Sequence, residues 1–360
     1  MNLIRIELGA RSYDACVERG AIAALAAQVR AAGAGDCTAI ALVADAGVAP
    51  LIRSAEQALA RLGVPMQTLP FEVSEGSKSP DQLARLYERF GSAGLDRGSL
   101  VVALGGGVIG ELAGYAAATY LRGIRWLPVP TTLLAAVDAA IGGKTGINLP
   151  RGKNLIGAFH QPVRVVVDPA AFSTLSTRER ISGFGEMLKY GLAFDGALWE
   201  RLCRHGPDDV QIADIARCIA LKGAVVSQDE RETAGRRDVL NFGHTVGHAI
   251  ETVTEYAAYR HGEAVILGMR AALRLSVLRG HLATAVADGC DARLAQVPLP
   301  APAPFDLDAI VAATRSDKKR RAGATRFVLL DAIGSPVLDA EVDAATIRRA
   351  IAFLPHASAA

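Results

Sequence analysis

The feature that most constrains this chain is a change of texture near Asp168-Pro169. Before it, short aliphatic and β-branched runs alternate with helical patterns. Ala39–Ala44 predicts a buried strand ending at Asp45, with a helix following through Ala60. Leu100–Leu104, Trp126–Val129 and Val163–Val167 predict further strands. Strands separated by helices imply a parallel sheet with helices packed on its faces. After Asp168-Pro169, from about Thr177 to Ala287, apolar residues recur at helical spacing and β-branched runs are few. Pro298–Phe305 is too rich in proline to be helix, Arg326–Leu330 predicts a small strand, and Ala344–Phe353 a closing helix. The expected fold is an α/β N-terminal domain (1–172) with a parallel sheet and a Rossmann-like nucleotide site. A mainly α C-terminal domain (173–360) follows, with a cleft between the two.

Composition removes several function classes. With 51% apolar and 21% charged residues, the chain has a globular balance. Lys plus Arg is 39 against 37 Asp plus Glu, a net charge of +2, which argues against a general nucleic-acid partner. No apolar run reaches the roughly 18 residues of a membrane span, so no membrane partner is expected. Met1–Ala10, carrying Arg5 and Glu7, does not read as a signal peptide. The five cysteines, Cys16, Cys37, Cys203, Cys218 and Cys290, show no paired spacing, which points to a reducing cytoplasm.

Three constellations carry chemistry. Gly105-Gly-Gly-Val-Ile-Gly110 follows a predicted strand and precedes a helical pattern. It fits G-x-G-x-x-G, where glycines let backbone amides approach a pyrophosphate at a helix N-terminus. A glycine-rich turn can also be purely structural, and no acidic residue stands about 20 positions on to read a ribose, so an ordinary Rossmann dehydrogenase is disfavoured. The second constellation is histidine. His244, His248 and His261 lie within 18 residues, and the first two are four apart on one helical face. Spacing alone selects His244 and His248 as metal ligands with His261 third, and Glu186 able to complete the set. The plain alternative makes His244 a helix-start residue, His248 a packed core histidine and His261 a loop histidine, and it is weakened by three occurring together with flanking glycines and Glu263. The third is lysine, of which there are seven among 39 basic residues. Lys144 lies in Gly142-Gly-Lys-Thr-Gly146 and Lys153 in Gly152-Lys-Asn-Leu-Ile156, while Lys189 follows Glu186 by one turn and Lys222 precedes the histidines. The Gly-Gly-Lys-Thr run lacks a P-loop's first glycine, that position being Asp138. Ammonium groups beside metal and nucleotide motifs suggest an anionic substrate carrying phosphate or carboxylate.

Taken in order, Gly105–Gly110, Pro130-Thr-Thr-Leu133, Val137-Asp138, Gly142-Gly-Lys-Thr145, Gly152-Lys-Asn-Leu-Ile-Gly157, Glu186-x-x-Lys189-Tyr190, Asn241–Ala249 and His261-Gly-Glu263 resemble the 3-dehydroquinate synthase family of the sugar-phosphate cyclases. Matches run from Arg11-Ser-Tyr13 to Phe327-Val-Leu329. The resemblance implies conversion of 3-deoxy-D-arabino-heptulosonate 7-phosphate, a small-molecule sugar phosphate, into 3-dehydroquinate and phosphate in the shikimate pathway. It further implies catalytic NAD, Zn2+ or Co2+, a cytoplasmic location and a homodimer. By position it implies metal ligands at Glu186, His244 and His261, which moves His248 from the ligand set to a substrate-side acid/base role. It implies NAD contacts at Asp45, Glu75, Lys78, Gly106, Gly107, Val108, Gly110, Glu111, Thr131, Thr132, Lys153, Phe172 and Thr174. Substrate contacts are implied at Asp138, Lys144, Asn154, Lys189, Lys222, Arg237, Asn241 and one lysine of Asp317-Lys-Lys319, assigned to Lys318, with Arg122 reaching across the dimer.

Departures from the pattern are Glu111, where the family usually has Asp, and Gly47, where it often has Asn. The segment 230–236 is one residue longer than the common form, which leaves Glu232 open as an acid/base residue. The rivals are an amino-dehydroquinate synthase or another secondary-metabolic cyclase, a metal-dependent polyol dehydrogenase, and a non-catalytic NAD-binding regulator. Lys222, Arg237, Asn241 and His248 have dehydroquinate-type identities, and a neutral polyol needs no cradle of lysines.

Overall fold

The computed structural model describes residues 1–303, 305–316, 326–339 and 342–354. They form two compact units, Met1–Leu175 with Ile215–Arg231, and Ser176–Asp214 with Glu232–Ala360.

In the first unit, β1 (Asn2–Ile6) and β2 (Tyr13–Val17) precede α1 (Leu25–Ala31), β3 (Ile40–Asp45), α2 (Ala49–Leu59), β4 (Met66–Phe71), α3 (Pro80–Ser92) and β5 (Leu100–Gly105). Then come α4 (Gly107–Thr119), β6 (Arg125–Pro130), β7 (Lys144–Leu149), β8 (Gly152–Phe159) and β9 (Arg164–Val167). The sheet β4-β3-β5-β6 is parallel throughout. Its central strands are apolar from Ile40 to Ala44 and from Leu100 to Leu104 because both faces are covered. In β3, Ile40, Leu42 and Ala44 enter one core with Val29 and Leu59, while Ala41 and Val43 enter the other with Phe90 and Leu112. β5 alternates likewise, Val102 and Leu104 against Val101 and Ala103. β4 carries Pro70, a residue tolerated because β4 is an edge strand. A second sheet, β1-β2-β9, pairs β1 with β2 antiparallel and β2 with β9 parallel. β7 and β8 form an antiparallel hairpin.

The predicted strands at 39–44, 100–104, 126–129 and 163–167 correspond to β3, β5, β6 and β9. Of immediate use is their register. Ala44 pairs with Leu104 and Gly105 with Pro130, so the carboxyl ends of β3, β5 and β6 come level at one edge. In parallel sheets that edge receives ligands.

The second unit is mainly helical, from α5 (Thr177–Phe194), α6 (Gly196–His205) and the first residues of α7 (Ile212–Gln228) through α8 (His244–Val253), α9 (His261–Leu278), α10 (Thr284–Leu294) and α11 (Leu307–Ser316). It closes with the hairpin of β10 (Phe327–Ala332) and β11 (Ser335–Asp339) and with α12 (Ala344–Ile351). α5 starts at a capping box in which Ser176 and Glu179 satisfy each other's backbone amides. The core of this unit gathers Ile250, Leu267, Leu275, Ile310, Leu329 and Ile347. The expected division at 172/173 has no counterpart for Ile215–Arg231, which clusters with the first unit. Its Gly223 packs on Ile6 and its Lys222 pairs with Asp138, contacts that helical periodicity does not encode. Among the described residues no helix is long and apolar enough to cross a membrane.

Candidate functional site

The glycine motif lies where a pyrophosphate-binding turn requires it. β5 ends at Gly105, Gly106 is the N-cap and α4 begins at Gly107. A Cβ at Gly105 would press on the Ile109 side chain at 2.7 Å, so glycine there lets the helix start directly against the strand. At Gly110 a Cβ would meet nothing within 4 Å, which leaves open space above the first turn. The pocket at this turn is lined by Gly105, Gly106, Gly110, Glu111, Pro130 and Ala139. Helix amides and the macrodipole favour an anion at such a start. Asp45 ends the neighbouring strand, its Oδ1 accepting from Gly47 N at 2.9 Å. The Asp45 carboxylate thus stands at the strand end next to the one that carries the glycine turn. After β6, the buried Thr131 donates its amide to Gly105 O at 2.9 Å and Thr132 Oγ1 accepts from Ala135 N at 3.1 Å.

Two lysines of this unit are buried, and each rests on a carboxylate. Lys78 Nζ donates to Glu111 and, at 2.6 Å, to Asn154 Oδ1. Asn148 closes this knot, its amide donating to Lys78 O at 2.8 Å while its Oδ1 accepts from Asn154 N at 2.9 Å. Asn154 sits at φ 53°, a left-handed conformation that asparagine adopts more readily than most non-glycine residues. Lys222 Nζ donates to both Asp138 O and Asp138 Oδ1 at 2.6 Å. Nearby in the fold, Gln161 Nε2 donates to Glu230 Oε1 at 3.1 Å, and Glu230 accepts from Arg11 at 2.7 Å.

In the second unit, three helices bring the histidines to Glu186. Close backbone approach makes this possible. A Cβ at Gly262 would overlap the Ser182 carbonyl oxygen, and one at Gly268 the Gly243 carbonyl oxygen, so α9 lies directly against α5 and the start of α8. The start of α9 is tied further by the wholly buried Glu263, which accepts from Arg260 N at 2.7 Å and from Arg178 Nε at 2.9 Å. His244 Nε2 and His261 Nε2 stand 3.3 and 3.4 Å from Glu186 Oε1. That oxygen is buried and accepts no hydrogen bond. His244 Nδ1 faces Phe242 O at 3.2 Å and His261 Nδ1 faces Glu251 at 3.3 Å. Each imidazole therefore turns its other nitrogen toward the same carboxylate oxygen. The His248 ring lies 5.3 Å from that of His244 and 5.8 Å from that of His261. Lys189 pairs with the second oxygen of Glu186.

A cation fits this arrangement. Ligand atoms about 2.05 Å from a tetrahedral zinc lie roughly 3.3 Å from one another. The two nitrogen–oxygen separations have that length, and an orphaned buried carboxylate oxygen lacks only a positive partner. The three groups are perturbed in different directions. Burial raises the Glu186 carboxyl, but Lys189 and His244 outweigh it and hold the group well below the usual carboxylate range. Burial lowers His244 to about 4, and it is neutral near pH 7. Burial would lower His261 also, yet the carboxylates of Glu186 and Glu251 raise it to about 10.

Lys318 lies outside the described residues, as does the side chain of Glu75. Lys144 and Lys153 are exposed on the β7–β8 hairpin. Phe172 packs on the core under β3 and β5, and Thr174 Oγ1 donates to Ala171 O at 3.4 Å. Val108 sits in the first turn of α4. Buried Arg237 lies 3.5 Å from Glu232, and Asn241 Nδ2 donates to Asp238 O at 2.9 Å. Arg122 is exposed in a turn with φ 69°. Sequence reasoning did not find Glu251, Asn148, Gln161 or Arg178. Glu251 had a signal, three residues after His248 and seven after His244 on one helical face. The other three are joined to the site only by tertiary contact.

A glycine-rich turn at a parallel-sheet edge in one unit, and a carboxylate–histidine pocket in the other, define an enzyme built to use a nucleotide cofactor and a metal. Two family models, the N-terminal and C-terminal parts of 3-dehydroquinate synthase, match residues 68–182 and 183–320. The chain belongs to the 3-dehydroquinate synthase family. It is 42% identical to the 3-dehydroquinate synthase of Citrifermentans bemidjiense, with 92% of this chain and 93% of that one covered. Among solved structures it is similar to 2-deoxy-scyllo-inosose synthase complexed with carbaglucose-6-phosphate, NAD+ and Co2+ (26% identity, TM-score 0.86, covering 97% of this chain and 99% of that one). It is also similar to 2-epi-5-epi-valiolone synthase from Streptomyces hygroscopicus with NAD+ and Zn2+ bound (28% identity, TM-score 0.84, covering 95% and 96%).

Proposed function

We propose that this protein is a phosphorus–oxygen lyase that converts 3-deoxy-D-arabino-heptulosonate 7-phosphate into 3-dehydroquinate and phosphate, using NAD catalytically together with a divalent metal. The observation that carries the reading is the orphaned Glu186 oxygen facing two imidazole nitrogens, in a chain 42% identical to a 3-dehydroquinate synthase. The inosose and valiolone cyclases stand at 26% and 28% identity, which favours dehydroquinate as product.

Glu186, His244 and His261 would hold the metal, and Asp45, Glu75, Lys78, Gly106, Gly107, Val108, Gly110, Glu111, Thr131, Thr132, Lys153, Phe172 and Thr174 the NAD. When bound, NAD would supply reversible hydride exchange with the carbon that bears a substrate hydroxyl, and the metal would supply charge stabilisation at that oxygen. A ketone so formed acidifies the adjacent C–H, and loss of phosphate becomes feasible. His248 is the proton carrier of the pocket, its ring beside both ligand imidazoles. Lys189 balances the charge of Glu186. Lys144, Lys222, Arg237 and Lys318 serve the phosphate and carboxylate of the substrate, since fixed cations stabilise anionic groups most where water is scarce. Lys222 reaches an incoming anion by leaving Asp138. Asn154 and Asn241 orient substrate hydroxyls.

We further assign a cytoplasmic homodimer, with Arg122 acting across the interface. Mixing Arg122→Ala with His248→Ala protein would then restore part of the activity each lacks. The reading as a whole is tested by phosphate release with trace NAD. Release in large excess over NAD, abolished by a chelator and restored by zinc, is the expected result. NADH accumulating without phosphate would make the protein a dehydrogenase instead.

A further inference from the structure

The two imidazoles facing Glu186 are held differently. His244 directs Nδ1 to a neutral backbone carbonyl, that of Phe242, at 3.2 Å. His261 directs Nδ1 to the Glu251 carboxylate at 3.3 Å. Glu251 is an expensive residue to keep where it is. It is 6% exposed, and taking a carboxylate out of water is unfavourable unless it is well partnered. It also lies in the last turn of α8, where the partial negative charge of the helix end disfavours an acid. Neither burial nor helix chemistry accounts for an acid here. The face it occupies does, since His244, His248 and Glu251 follow one another at i, i+4 and i+7.

We propose that Glu251 is the positioning residue of the histidine pocket. Its carboxylate keeps the proton of the His261 imidazole on Nδ1, so that the Nε2 lone pair, 3.4 Å from Glu186 Oε1, is the one offered to a divalent cation. An imidazole with the opposite tautomer would point a proton into the pocket and could not ligate without turning over. A carboxylate partner also increases the donor strength of the opposite nitrogen, which a backbone carbonyl does less. Glu251 therefore makes His261 the stronger and more rigid of the two histidine donors. The inference rests on reading Glu186, His244 and His261 as the ligands.

Zinc affinity measured on metal-stripped protein by competition with a chromophoric chelator tests it, with Glu251→Met and Glu251→Gln beside Glu186→Gln. Met keeps the volume and helix preference of Glu without an acceptor, whereas Gln keeps an acceptor without the charge. Glu251→Met should weaken zinc by roughly 10- to 100-fold, and Glu251→Gln by less. If the Met variant does not fold, the Gln variant alone carries the test. Nitrogen NMR of the zinc-loaded protein separates positioning from a general structural role. In the variants the His261 Nδ1 proton should exchange faster with solvent, while that of His244, held by Phe242, should not change. Zinc affinity equal to wild type in both variants overturns the proposal, as does equal loss of protection at both histidines. A wild-type protein that binds zinc no better than Glu186→Gln would instead overturn the ligand assignment itself.

Discussion

The two units hold their charges in opposite ways. In the first, the buried ammonium groups of Lys78 and Lys222 already rest on carboxylates, those of Glu111 and Asp138. In the second, a carboxylate oxygen of Glu186 faces two imidazole nitrogens and accepts a hydrogen bond from neither. A balanced pair can take an anionic ligand only by exchanging partners, so net gain in stability is small. The Glu186 oxygen facing two imidazole nitrogens is suited to a cation. The difference teaches that an anion would have to enter the first unit by exchange, whereas a cation would enter the second by completing the partners of a carboxylate oxygen.

The sharpest way to break that contrast is Glu186→Gln. Its amide cannot supply the charge that joins the two imidazoles, so zinc should be lost and phosphate release should fall by roughly 10^3-fold or more. Retained zinc with full activity would remove the distinction between the units. Next in size is Gly262→Ala. The added methyl overlaps the Ser182 carbonyl, and α5 and α9 must separate, at a cost of about 4 kcal/mol or more in chemical denaturation. Metal removal follows. Zinc at a hundredfold its dissociation constant should stabilise the second unit by about 2.7 kcal/mol, and chelation should lower its melting transition while leaving that of the first unit in place. A single transition moving as a whole would show that the units do not unfold separately.

These contrasts were unequally legible in the sequence. The parallel sheet could be read because Ile40–Ala44 and Leu100–Leu104 are buried on both faces and hence apolar throughout. β4 was not predicted, because an edge strand with Pro70 and alternating exposure gives a weak signal. The hairpin of β7 and β8 was read only as lysine motifs, since glycines at 142, 143, 146, 152 and 157 mask a strand pattern. The histidine pocket was half visible. Spacing put His244 and His248 on one face, but Glu186 joins His244 and His261 through the contacts of Gly262 and Gly268, which are tertiary. Asn148 had no signal at all. It acts through one amide and one carbonyl oxygen that only the folded hairpin brings to Lys78 and Asn154.

Asn148 gives the next prediction, on the exchange side of the comparison. Asn148→Ala removes the acceptor that braces Asn154 at φ 53° and should cost about 1 kcal/mol at the hairpin. Lys78 would then keep Glu111 but hold Asn154 less firmly. The expected result is a KM for the sugar phosphate several-fold higher with zinc content unchanged. Loss of zinc in this variant would show that the two sites are not independent.

The smallest effect concerns Glu230, where the same exchange logic can be followed with pH. The hydrogen bond from Arg11 is the main influence on this carboxyl, opposed by burial and aided by Gln161, and the net result is a depressed pKa. A depressed folded-state pKa gives stability that is fully present above the unfolded value of about 4.3 and lost as pH falls through the folded value. Arg11→Ala removes the principal cause, but Arg11 is largely exposed, so solvent screens the pair and the melting temperature should fall by only about 1 °C near pH 7. That difference should shrink as pH is lowered past the carboxylate range, because protonated Glu230 has no charge for Arg11 to favour. It should also shrink in high salt, as a partly exposed pair does. A difference between wild type and Arg11→Ala that persisted unchanged to low pH would mean that Arg11 stabilises the fold by packing rather than by charge. The first unit would then owe less to exchangeable pairs than Lys78 and Lys222 suggest.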